Sequence, residues 1–268
     1  KFAYLYAKTV TLLPTHWEET NAIMQRNRRI GTSISGIANF ADRVGLPTLR
    51  EWMDAGYDVV QSYDKSYSEW LGIRESIKTT TVKPSGTVSI LAGESPGVHW
   101  TPGGEYFLRT IRFSNDDPML PLFQYAGYRI EPANESPKTT SVVYFPIKSQ
   151  AMRSEKDVSI YEKVSLAAMA QRHWSDNSVS VTVSFSPDEK KDVGTVLHMF
   201  DGQLKTVSFL PMGNETYPQM PYNHMSETEY NEYTYKLLPI DFTDVYAGMA
   251  ADAIGEKYCS TDFCEIPK

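Results

Sequence analysis

The sequence predicts an α/β fold, and three observations carry that prediction. Helix-start signatures recur along the chain. Short β-branched and aromatic runs alternate with them, and residues 142–210 read as strand, helix, strand, helix, strand. A unit of that kind places its strands in a mostly parallel sheet, because each crossover helix returns the chain to the same end. The 268 residues, 41% hydrophobic and 22% charged, suffice for one large globular domain with a buried core.

Taken in order, four segments fit the capping box. In it a Ser or Thr hydroxyl accepts a hydrogen bond from an early backbone N–H, and an acid three residues on reaches back. They are Thr15 with Glu18, Thr48 with Glu51, Ser186 with Glu189 and Ser226 with Glu229. Pro187, at the first helical position, strengthens the third. From Thr48 the residues Leu49, Trp52, Met53, Val59, Val60, Tyr63, Tyr67 and Trp70 form a broken helical stripe, interrupted at Gly56. Residues 93–137 are rich in Gly, Pro and Asn and read as long loops with short strands. Residues 140–145 form the first clear strand. Residues 154–171 read as the cleanest helix, with Glu155 and Asp157 in its first turn. Residues 178–185 alternate, with Val179, Val181, Val183 and Phe185 on one face, and residues 206–210 supply a third strand.

Composition excludes several functions. A net charge of −7 lacks the basic footprint of a protein that tracks nucleic acid. No apolar run approaches the roughly 20 residues of a membrane span, and no signal-peptide pattern opens the chain. Two cysteines are too few for a disulfide-framed scaffold and point to a reducing compartment, the cytoplasm being expected. The chain opens at Lys1 without an initiator Met, which predicts a piece of something longer.

Two segments stand out chemically. In residues 79–89 (TTTVKPSGTVS), Pro84 ends what precedes it and Gly86 permits close backbone approach. Ser85, Thr87 and Ser89 bring hydroxyls beside free N–H groups, and Lys83 brings charge. A phosphate wants such a setting, above all with a helix N-terminus following. The run lacks the glycine spacing of a Walker loop, and an ordinary turn fits it as well. The second segment is the end of the chain, where Cys259 and Cys264 stand five apart. Two thiols on a mobile tail suit thiol–disulfide exchange, and idle thiols in a reducing cell are the plain alternative. No metal site is expected, since no His stands near them. His99, in a Gly/Pro loop just after the first segment, is a lesser candidate. His16, His173, His198 and His224 carry no partner signal, and the acidic pairs read as helix-start and loop charges. No nucleophile elbow, metalloprotease motif or dinucleotide fingerprint occurs.

Residues 28–38 (RRIGTSISGIA), 82–90 (VKPSGTVSI), 94–99 (ESPGVH) and 175–183 (SDNSVSVTV), with the paired cysteines, together resemble the C-terminal part of ribonucleotide reductases. Within them the similarity is strongest to the adenosylcobalamin-dependent (class II), monomeric ribonucleoside-triphosphate reductases. The resemblance implies the second half of a ten-stranded α/β barrel over residues 1–250 and a flexible redox-active tail over residues 251–268. It implies adenosylcobalamin as cofactor, a thiyl radical that abstracts the 3′-hydrogen of a ribonucleotide, and two further cysteines that reduce the 2′-position. Pro84, Ser85, Gly86 and Thr87 map onto the family's substrate-phosphate loop. Cys259 and Cys264 map onto the pair that passes electrons from thioredoxin. With both cysteines of the chain in its tail, none is left for the radical, so the rest of the same enzyme is an expected partner, with no nucleic acid and no membrane. The rival readings are a non-catalytic split subunit completing a barrel encoded elsewhere, a class I large-subunit fragment, and an unrelated α/β nucleotide-binding module.

Overall fold

The computed structural model describes residues 1–102, 104–213 and 218–243. Helices α1 (Phe2–Val10), α2 (Glu18–Asn27), α3 (Ile37–Val44) and α4 (Leu46–Leu71) come first. A short helix α5 (Val88–Leu91) leads into β1 (Tyr106–Ser114), α6 (Leu120–Tyr125), β2 (Arg129–Pro132) and β3 (Thr140–Lys148). Then follow α7 (Ile160–His173), β4 (Thr182–Phe185), α8 (Val193–Met199), β5 (Ser208–Pro211), β6 (Tyr222–His224) and α9 (Glu227–Tyr235). The α/β class is as predicted. Among the described residues no helix is long and apolar enough to cross a membrane.

The strands fall into two layers. In the first, β4 and β5 pair in parallel, from Thr182 opposite Ser208 to Phe185 opposite Pro211. Single parallel bridges carry this layer on, from Val179 to Val82 and from Thr80 to Thr32. Asn177 fastens these turns, its Nδ2 donating to the carbonyls of Ile30 (2.7 Å) and Thr80 (2.8 Å). Val179, Val181, Val183 and Phe185 all point into the core, as their alternation predicts. Val82, Met53, Leu49 and Val60 of α4, and Ile160, Val164, Leu166 and Ala167 of α7, close the same core.

The second layer corrects the expectation for β3. Residues 142–210 do not form one parallel unit. β3 runs antiparallel to β1 along its whole length, from Tyr106 opposite Lys148 to Ser114 opposite Thr140, in a sheet of order β2-β3-β1-β6. The reason lies in residues 93–137, read from sequence as long loops with short strands: they hold the nine-residue β1, to which β3 returns through β2. Phe107, Phe123, Val143, Phe145 and Ile147 make this layer's own core.

Helix starts also differ in places. Ser186 and Ser226 form the predicted capping boxes. Thr15 does not, because its hydroxyl donates to Asn21 Oδ1 at 2.8 Å, and α2 starts from Trp17 instead. The helix expected over residues 154–171 is split. Ser154 and Asp157 cap a single 3₁₀ turn, Val158 is extended, and Ser159 caps α7. Gly56 does not interrupt α4, which runs unbroken for 26 residues. A Cβ there would stand 3.3 Å from the ring of Trp174, so the glycine is where α4 meets that indole.

Candidate functional site

The Ser85–Thr87 turn sits where the two layers meet. On one side Val82, fully buried, belongs to the parallel core. On the other side Ile90, on α5, is 1% exposed and belongs to the antiparallel core. The chain between them must therefore turn at the C-terminal end of the parallel segment, the end at which α/β folds bind ligands. Ser85 and Gly86 are half-buried, and Thr87 is exposed. Ser85 O accepts from Ser89 N (3.3 Å) and Ser89 Oγ, and Thr87 O accepts from Leu91 N at 2.9 Å. These bonds start the four-residue α5.

Two neighbours complete the surround. Residues 33–35 lie alongside: Ser33 Oγ accepts from Lys83 N at 3.0 Å, and Ser35 Oγ lies 2.7 Å from Ser85 Oγ. The stretch after α5 closes the far side. Gly97, at φ +61°, has Lys83 O and Val82 Cγ1 at 3.1 and 3.2 Å from where a Cβ would be, so no larger residue fits. Gly36 N donates to Ser95 O at 2.8 Å and Ile37 N to Gly97 O at 3.1 Å. Glu94 accepts from Asn39 Nδ2 at 2.9 Å and from Arg43 Nη2 at 3.2 Å. The segments 28–38, 82–90 and 94–99, dispersed in sequence, are thus one knot of hydroxyls and N–H groups. Beside it a mostly apolar cavity of about 320 Å³ opens between Ser35, Phe40, Trp52 and Met53.

Other candidates separate from this knot. Lys83 is exposed, and its ammonium has no partner among the described residues. His99 serves the fold: Nε2 accepts from Thr182 N at 3.0 Å, which leaves the proton on Nδ1, 2.9 Å from Pro96 O. Burial pushes its pKa below the usual imidazole value, against the opposing pull of Pro96 O and Glu155. Cys259 and Cys264 lie outside the described residues. No cluster of three metal-ligating side chains occurs among the described residues. One participant was missed from sequence: Arg109 of β1, whose Nε donates to Gly86 O at 2.8 Å.

No protein-family model matches the chain. Curated relatives do. An adenosylcobalamin-dependent ribonucleoside-triphosphate reductase of Euglena gracilis is 45% identical over 98% of the chain. A probable enzyme of the same name from Dictyostelium discoideum is 45% identical over 99%. The crystal structure of a B12-dependent (class II) ribonucleotide reductase superposes with a TM-score of 0.74 at 33% identity, over 94% of the chain. Over almost its whole length the chain is similar to adenosylcobalamin-dependent ribonucleotide reductases. It covers 36% and 35% of the two relatives and 39% of the crystallised reductase. The chain therefore spans a little over a third of the length of the proteins it matches.

Proposed function

We propose that this chain supplies the substrate-phosphate site and the dithiol shuttle of a reductase that converts ribonucleoside triphosphates to 2′-deoxyribonucleotides. The observation that carries it is the turn itself: Ser85, Gly86 and Thr87 follow the parallel-bridged segment 80–82 and precede α5, flanked by the hydroxyls of Ser33 and Ser35. Backbone N–H groups and hydroxyls so converging are what a polyphosphate needs, since it presents only acceptors.

Each turnover removes the ribose 2′-hydroxyl as water and spends two electrons from a cysteine pair, which becomes a disulfide. In this reading Cys259 or Cys264 attacks that disulfide, its partner thiol resolves the mixed intermediate, and the pair leaves oxidised. The dithiol of thioredoxin then restores it. The thiyl-forming cysteine has no counterpart in the chain, whose two cysteines are already assigned, so it belongs to the rest of the enzyme. Adenosylcobalamin, for which the relatives are named, supplies radical initiation when bound. The cofactor's contacts are not assigned to this chain.

The phosphate assignment is tested by replacing the donors in the reductase that carries this sequence. Ser85→Ala with Thr87→Val removes two hydrogen bonds to a charged group. At about 1.5–3 kcal/mol each, the substrate dissociation constant should rise by roughly two to four orders of magnitude. Unchanged affinity would return the segment to an ordinary turn.

A further inference from the structure

Arg109 is held in an unusual way for a strand residue. It shares a face of β1 with Phe107, which is fully buried, and Ile111, a face that packs into the antiparallel core. A guanidinium there needs partners, and it has three. Nε donates to Gly86 O at 2.8 Å, Nη1 donates to Pro221 O at 3.0 Å, and the plane lies over the Tyr222 ring, 4.7 Å from its centroid. Nη2 is left over. It has no partner among the described residues and stands 3.3 Å from the point a Cβ on Gly86 would occupy. Nε–H and one Nη2–H point the same way from a planar fork. The spare donor therefore faces the turn that Nε already holds.

We propose that Arg109 is the cation of the phosphate turn, fixing its shape through Gly86 O and presenting Nη2 to the bound oxyanion. Lys83, the cation nearest in sequence, is exposed on a free stem and pays the full entropy of ordering. Arg109 is already immobilised, and its fork suits a phosphate geometrically. The inference rests on the phosphate reading of the turn and adds to it the residue that supplies the charge.

The test uses the full-length protein that carries this sequence, with inorganic triphosphate as the probe, titrated calorimetrically at low and at raised ionic strength, with circular dichroism to check folding. Arg109→Gln should weaken binding about 10- to 100-fold and flatten its salt dependence, because the screened charge is gone. Arg109→Lys should bind more weakly than the parent but keep the salt dependence, which decides the matter even where the Gln variant does not fold. Lys83→Gln should change little. Ser85→Ala with Thr87→Val separates the two claims. If that pair weakens binding while Arg109→Gln does not, the turn holds phosphate and the role of Arg109 is wrong. A loss in Arg109→Gln with the parent's salt dependence would make it a brace only, and an equal loss in Lys83→Gln would move the charge to Lys83; both overturn the proposal. If the Ser85/Thr87 pair changes nothing, the phosphate reading falls first and Arg109 falls with it.

Discussion

At the scale of single residues, charge and hydrogen bonding are settled by burial. Lys8 and Asp64 show it in a purely structural setting. Their ion pair, 2.6 Å long, is buried between α1 and α4, with Tyr4 OH and Ser76 N also donating to the carboxylate. Burial alone would raise the Asp64 pKa, and these donors outweigh it, so the group stays below its usual range. His99 gives the complementary prediction. Its folded pKa lies below the free value of about 6.5, so the unfolded chain binds the extra proton first. The stability it contributes is intact above that free value and is lost as pH falls from there toward the folded value. Thermal melts between pH 8 and pH 5 should therefore show a steeper loss for the parent than for His99→Gln, whose amide oxygen can still accept from Thr182 N. Equal slopes would mean that His99 does not titrate with folding. The hydroxyls around Gly86 were legible in the sequence as a Pro-Ser-Gly-Thr run. Arg109 was not, because its partner lies 23 residues away and its charge breaks the apolar alternation that marks a strand.

At the scale of elements, legibility followed how local the cause was. The boxes at Ser186 and Ser226 were readable because cap and acid are three residues apart and nothing else competes. Thr15 misled because Asn21 takes its hydroxyl. The valine alternation of β4 was readable because one of its faces is wholly core. β1 was not, with Arg109 on its apolar face and Thr110 buried on the other. Gly56 shows a long-range cause most sharply. In isolation it weakens a helix by about 1 kcal/mol relative to Ala. Here it admits Trp174, whose Nε1 donates to Thr81 O at 2.8 Å and whose carbonyl accepts from Thr80 Oγ1. Gly56→Leu should therefore destabilise the chain by about 1–3 kcal/mol through overpacking, despite the better helix propensity, as read from denaturant melts. A stabilised variant would show that α4 and Trp174 are not in close contact.

At the scale of the molecule, the two layers explain why a turn of four residues can be a site: Val82 and Ile90 fix its two ends in different cores. The same layout leaves the parallel layer open. Among the described residues, neither residues 30–32 nor β5 pairs on its outer side, and Phe2, Tyr6 and Trp70 are each more than 70% exposed. Unpaired edges and apolar surface promote association, so the isolated chain should sediment as oligomers at micromolar concentration and form no deoxyribonucleotide with adenosylcobalamin and a reductant. A monodisperse, active chain would contradict this. The division of labour is tested most directly through the two cysteines. If the proposed shuttle role is right, then in the full-length protein that carries this sequence Cys259→Ser with Cys264→Ser should leave about one turnover when the protein starts pre-reduced. Thioredoxin-driven turnover should collapse, a small diffusible dithiol should partly restore it, and either single replacement should match the double, since exchange needs an attacking and a resolving thiol. Normal multiple turnover with thioredoxin in the double variant would show that the pair is idle and that this chain is not the shuttle.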